Sequence, residues 1–219
     1  MIYDFFAFLQ ENRQWRELFQ FGVMVIAGLS FIIISGIIFK RSKTSTKALA
    51  YAGLALAIAF ILSNFRLYRM PWGGSVTLMS MFFVSFVGFM YGPKIGLVAA
   101  ISYGFLQFAQ RPEVFHPIQV LLDYPVAFGL LGLAGFFWKK PHGLYIGFVV
   151  GVIGRWFAST MAGIFFFAQF APEGWGAIPY AMAYNAAFMF TEMGITLVIL
   201  LIPQVRAAIF QIRNQAQGT

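Results

Sequence analysis

Long apolar runs leave this chain little choice of fold. Leu18–Phe39 passes 22 residues without a charged side chain, and as a helix it would be about 33 Å long, enough to cross a hydrocarbon core of about 30 Å. Further runs follow at Ala48–Leu67, Val76–Tyr91, Ile95–Phe108, Pro117–Trp138, Leu144–Phe170 and Ile178–Ile202. The chain therefore reads as an all-α integral membrane protein with seven spans. Composition agrees, with 60% of residues hydrophobic, 10% charged and a mean hydropathy of +0.79, where soluble domains carry about 25% charge.

Three segments are expected. Residues 1–45 hold an amphipathic interfacial stretch and one additional span, 46–203 a six-helix membrane core, and 204–219 a polar cytoplasmic tail. Met1-Ile2-Tyr3-Asp4 lacks the basic start and small-residue cleavage site of a signal peptide, so the first span is expected to stay in the mature chain. The net charge of +8 fits cytoplasmic loops better than a nucleic-acid partner, because no basic run interleaved with aromatics lies on a soluble segment. Counted by loops, the side carrying the C-terminus holds nine Lys and Arg residues against five on the other. A multi-pass plasma-membrane protein with a cytoplasmic C-terminus follows. The absence of Cys and the presence of two His residues leave no basis for a disulfide, a thiolate metal site or a His-rich cage. No Gly-x-x-x-x-Gly-Lys phosphate loop occurs, so ATP-driven transport would need a motor on another subunit.

Against this apolar background a few polar residues stand out. Asp123 lies inside Gln119–Phe128, and a charge at bilayer depth costs about 2.5–3.5 kcal/mol on insertion scales unless a partner or ligand offsets it. Gln119 and Asp123 are i, i+4 and share a face, Tyr124 is one position round, and Pro125 is expected to kink the helix. Arg155, Ser159, Gly163 and Phe167 recur every fourth residue in the next span. The last span carries Tyr180, Tyr184, Asn185 and Glu192. Asp123 and Arg155 fall at similar depth, which suggests an ion pair, and a purely structural salt bridge fixing helix register is one reading. A ligand pocket is the other, favoured because Gln119, Tyr124, Ser159, Tyr180 and Asn185 supply more polar groups than one salt bridge needs. Glu192 lies deeper and is read as structural. Nucleophilic catalysis is disfavoured, since His116 and His142 sit in loops on opposite faces, far from Ser159.

Met70-Pro71-Trp72-Gly73-Gly74-Ser75-Val76-Thr77-Leu78, His116-Pro117-Ile118-Gln119 through Asp123-Tyr124-Pro125-Val126-Ala127-Phe128-Gly129, and Arg155 through Gly163 with Ala171-Pro172-Glu173-Gly174 together carry a resemblance. They are similar to the thiamine-specific substrate-binding S-components of energy-coupling-factor (ECF) vitamin transporters, over about residues 46–203. The resemblance implies a six-helix core in the lipid bilayer that binds thiamine from outside without catalysis or cofactor. It also implies partners: a transmembrane coupling subunit and two ATPase subunits, met through a small-residue stripe matched here by Ala52, Ala55 and Ala59. Asp123 would hold the ligand's amino group or positive charge and Arg155 would keep it ionised. Trp72, Tyr124, Phe167 and Tyr180 would stack or close over the rings, Ser159 and Asn185 would hydrogen-bond, and Gln119, His116 and Gly163 would complete the site. The chain departs from the family pattern at Ser159, commonly His, at Phe167, Trp in some members, and at Trp72, where Gln is expected. Another vitamin or thiamine precursor, or a proton-coupled carrier using Asp123 or Glu192, are the competing readings.

Overall fold

The computed structural model describes residues 45–71 and 73–218. The expected first span, Leu18–Phe39, lies outside them, as does Trp72. The fold is mostly helical. Helix α1 (Thr46–Leu62) leads into a two-stranded antiparallel hairpin, β1 (Arg66–Arg69) and β2 (Ser75–Thr77), followed by α2 (Ser80–Tyr91) and α3 (Pro93–Gln110). An irregular helix α4 (Pro117–Phe137), α5 (Gly143–Phe166), α6 (Ala177–Leu201) and α7 (Pro203–Gln217) complete the order. Three of these, α4, α5 and α6, are long and apolar enough to cross a membrane.

The hairpin corrects the expectation of an all-helical chain with a span running to Leu67. Helix α1 stops at Leu62 because the Ser63 hydroxyl and the Asn64 amide both donate to the Phe60 carbonyl, at 2.7 and 3.0 Å, competing with continued helical pairing. Arg66 then pairs with Thr77 and Arg69 with Ser75 across a β-bulge.

Helix α2 is short and apolar on every side, the pattern of a core helix. Its 12 residues reach about 18 Å, and all but Phe83 and Tyr91 are buried. The other helices wrap it. Helix α3 departs from it through Gly92, whose φ of +84° suits glycine, and both press on α4 through glycines. A Cβ at Gly88 would stand 2.7 Å from the Gly135 nitrogen, and one at Gly132 2.7 Å from the Gly96 carbonyl oxygen. Backbones that approach this closely are how helices associate where lipid is as apolar as leucine.

The alanine stripe of α1 serves the same end. Ala48, Ala52, Ala55 and Ala59 are buried, between 0% and 7% exposed, so Ala52, Ala55 and Ala59 face the bundle and are not a docking surface. Their small size lets α1 lie close on α2 and α3, where the Tyr103 hydroxyl donates to the Ala59 carbonyl at 3.0 Å. The exposed side of α1 carries Ala50, Gly53, Leu54, Ala57 and Ile61 instead.

Glu192, in the middle of α6, holds the hairpin to the bundle. Its buried carboxylate accepts from the Thr77 N–H at 3.0 Å and hydroxyl at 2.5 Å, and from the Ser80 hydroxyl at 3.2 Å and Met81 N–H at 3.1 Å. Two of those donors belong to the first turn of α2, where an anion is favoured by the helix dipole. Residues 204–219, expected as a polar tail, mostly form α7, which returns to α2. Phe210 meets Phe89 edge to face at 6.0 Å, Arg213 lies over the Phe89 ring and donates to the Trp138 carbonyl at 2.8 Å, and Gln217 donates to the Met90 carbonyl.

Two outcomes follow for the purified protein in detergent. Gly132→Ala should lower stability by about 1–3 kcal/mol through overpacking, read as a fall in Tm, whereas Gly53→Ala, whose added methyl meets open space, should be neutral or slightly stabilising. Glu192→Leu should cost at least about 3 kcal/mol by orphaning buried donors, and Glu192→Gln, which keeps one acceptor oxygen, should cost less.

Candidate functional site

A cavity of about 190 Å³ lies between α3, α4, α5, α6 and the hairpin. A buried water needs about 10–15 Å³ in that measure, so this space is ligand-sized and not a packing fault. Local geometry of α4 builds one wall. Pro125 lacks an N–H, and the helix responds with a π-helical turn over Leu122–Val126 before tightening to a 3₁₀ helix over Leu130–Phe137. Helix α3 fits against this turn because Gly104 has no side chain; a Cβ there would lie 2.5 Å from the Tyr124 carbonyl oxygen.

The widened turn places Asp123 on the cavity wall. Its Oδ2 accepts from Gln119 Nε2 at 2.8 Å, and Gln119, itself buried, accepts from the Phe115 N–H at 3.1 Å through Oε1. The amide thus orients the carboxylate. Among the described residues no salt bridge reaches Asp123, which corrects the expected pair with Arg155. The Arg155 guanidinium lies 3.9 Å over the Phe128 ring instead, with its Nε buried and unpartnered. Phe128 is one and a half turns beyond Asp123 on α4, and its ring face offers the cation compensation.

Most of the other expected residues converge on the same space. Gly163 lets α5 close on α6, since a Cβ there would stand 2.8 Å from that of Ala181. Across this contact the Asn185 amide donates to the Ala181 carbonyl at 2.9 Å and the Ser159 carbonyl at 3.4 Å. The Ser159 and Asn185 side chains both face the cavity, as do Tyr180 and Phe167. Phe167 sits just past α5, edge-on to Phe115 at 5.0 Å.

Two expectations change. The Tyr124 hydroxyl donates to the Arg111 carbonyl at 2.6 Å and accepts from the Glu113 N–H at 3.1 Å, so this residue pins the loop before α4 while lining the cavity. His116 caps α4, accepting from the Ile118 N–H at 3.2 Å, and its ring stacks on Phe166. It does not form part of the cavity wall, because the N-cap geometry directs it along the helix end.

Arg111, Glu113, Phe128, Gln107 and Tyr184 also line the cavity. The Tyr184 hydroxyl ties the hairpin tip to α6, donating to the Pro71 carbonyl and accepting from the Gly74 N–H. Its i, i+4 spacing from Tyr180 was the available signal; Arg111 and Glu113 were hidden in a loop with no periodicity. Glu113 is an exposed residue whose carboxylate tucks against Gly73, where a Cβ would meet Oε2 at 2.8 Å. Desolvation there pushes its pKa above the ordinary carboxylate value, opposed by Arg111 and Arg66. Among the described residues no cluster of His, Cys, Asp and Glu could hold a metal.

Residues 49–211 match the model of the thiamine transporter protein family. The thiamine transporter ThiT of Bacillus subtilis is 36% identical over 146 residues, 60% of this chain and 75% of that protein. The thiamine transporter ThiT of Lacticaseibacillus paracasei is 26% identical over 129 residues, 53% of this chain and 60% of that protein. The solved structure of ThiT from Listeria monocytogenes superposes with a TM-score of 0.62 at 23% identity, covering 72% of this chain and 96% of that one, and so shares the fold. The chain thus belongs to the thiamine transporter protein family, multi-pass membrane proteins of transport and not enzymes.

Proposed function

We propose that this chain is the substrate-binding subunit of an ECF-type transporter and captures thiamine in the cavity from outside the cell. The observation that carries the reading is Asp123, a carboxylate at membrane depth on a cavity wall, with Gln119 as its hydrogen-bond donor. Left uncompensated, such a charge costs about 2.5–3.5 kcal/mol, and a ligand with a permanent positive charge offsets that cost. The thiazolium ring of thiamine is such a cation. Phe167 and Tyr180 offer ring faces beside it, and Ser159, Asn185 and Arg155 offer donors and acceptors that match an aminopyrimidine. Arg155 acts here as a direct contact, since it does not pair with Asp123.

The loop charges support a cytoplasmic C-terminus, which opens the cavity to the exterior. With the alanines of α1 turned inward, its other face, Ala50, Gly53, Leu54 and Ala57, is the side available to a membrane coupling subunit. That subunit and two ATPases would supply the energy, as the resemblance to S-components implies.

Isothermal titration of the purified chain with thiamine tests the reading. Saturable binding is expected, and Asp123→Asn should weaken it by about 2 kcal/mol, roughly thirtyfold. Unchanged affinity in that variant would refute the role of the carboxylate. Thiamine uptake by the chain alone, in membranes without ATPase partners, would favour a self-sufficient carrier.

A further inference from the structure

The end of the bundle away from the cavity is basic and, among the described residues, holds no carboxylate. About 20 Å of helix α3 separates Lys94 from the cavity-lining Gln107. Glu113, Asp123 and Glu192 line the cavity, and Glu173 stands in the loop between the cavity-lining residues Phe170 and Tyr180. The far end instead collects cations from three helices around Trp138, the residue that follows α4. Lys139 holds its ammonium 4.6 Å from the centre of the Trp138 ring, and Arg213 of α7 donates to the Trp138 carbonyl at 2.8 Å. The start of α3 abuts the same place. A Cβ at Gly92 would stand 3.4 Å from Cε2 of the Trp138 ring, and one at Gly135 would stand 2.6 Å from the Pro93 nitrogen. Lys94 and Lys140 are the next residues in the chain after Pro93 and Lys139.

These four cations have no described acid to meet. Lys94, Lys139 and Lys140 are exposed, so like charges are held near one another at the surface, and an anion among them relieves that repulsion. An acidic protein surface and a lipid headgroup both carry such an anion. The surroundings favour the lipid. Trp is a residue of the membrane–water boundary, and Phe136, two positions before Trp138, is 57% exposed, which leaves apolar surface beside the cations for an acyl chain. Basic pockets between membrane helices are where anionic headgroups bind.

We propose that Lys94, Lys139, Lys140 and Arg213 form a binding site for the phosphodiester headgroup of an anionic phospholipid, centred on Trp138, with an acyl chain along Phe136. The lysines supply mobile point charges. Arg213 supplies a fixed one, held by the Trp138 carbonyl and by the Phe89 ring, whose centre lies 4.4 Å from its guanidinium carbon. A bound headgroup therefore ties α7 to the ends of α3 and α4. In the orientation proposed above this is the cytoplasmic face, and the inference stands whichever ligand the cavity takes.

The test is native mass spectrometry of the full chain in neutral detergent, titrated with dioleoyl phosphatidylglycerol and, separately, with dioleoyl phosphatidylcholine, so that bound lipid is counted by mass. Wild type should hold its first phosphatidylglycerol at least about tenfold more tightly than phosphatidylcholine. Each basic residue beside an anionic lipid is worth about fivefold, so Lys139→Gln/Lys140→Gln should abolish the preference and Lys94→Gln should cut it about fivefold. The replaced lysines are exposed, and Tm without lipid should stay at the wild-type value. Arg66→Gln/Arg69→Gln, which removes the same charge from the hairpin, should leave the preference intact. Equal affinity for the two lipids, a preference that survives either lysine substitution, or one that falls equally in the hairpin variant overturns the site. Displacement of the lipid by inorganic phosphate would assign the cations to a soluble anion, and displacement by polyglutamate to an acidic protein surface; either result also overturns the proposal.

Discussion

The architecture depends on one buried carboxylate having enough donors. Glu192 would be costly in the middle of a membrane helix, yet two backbone N–H groups and two hydroxyls from Thr77, Ser80 and Met81 converge on it. Those donors belong to the end of the hairpin and the start of α2. The carboxylate therefore resolves three problems with one contact: its own desolvation, the unpaired N–H groups that open a helix, and the attachment of the hairpin to the bundle.

Asp123 is the counterpart. It is the same chemical group in a similar setting, but the chain supplies it with a single amide donor, and Arg155 is drawn aside onto Phe128. The contrast separates the two carboxylates more clearly than depth or residue type, and it is what the proposed cation-binding role of Asp123 rests on. Both carboxylates line the cavity, but Glu192 already accepts four hydrogen bonds from the chain and Asp123 only one. The π-helical turn at Pro125 belongs to the same design, because it widens the helix where that carboxylate must face inward.

Much of this was legible beforehand. Apolar runs located the six bundle helices to within a few residues, since a bilayer demands long apolar segments, and i, i+4 spacing put Gln119 beside Asp123 and Ser159 in line with Gly163. The errors share a cause. A small-residue stripe on α1 marks close packing, but periodicity does not say whether the near neighbour is the bundle or another subunit, and here it is the bundle. Likewise equal depth made Asp123 and Arg155 look paired, although the rotation of each helix decides where a side chain points. Helix α7 was readable from Val205, Ile209, Ile212 and Ala216, whose spacing marks one apolar face, but a low mean hydropathy disguised it as a tail.

By itself the sequence determined that this chain lives in a membrane, how many apolar helices the described part contains, which of them carry polar residues and which family it resembles, because each of these depends on composition and short-range spacing. Tertiary structure alone decided that α2 is the buried centre, that Glu192 gathers four donors while Arg155 turns onto Phe128 and leaves Asp123 without an ion pair, and that Arg111 and Glu113 join the cavity wall. Those outcomes depend on helix rotation and on contacts between residues tens of positions apart, and no local pattern encodes them.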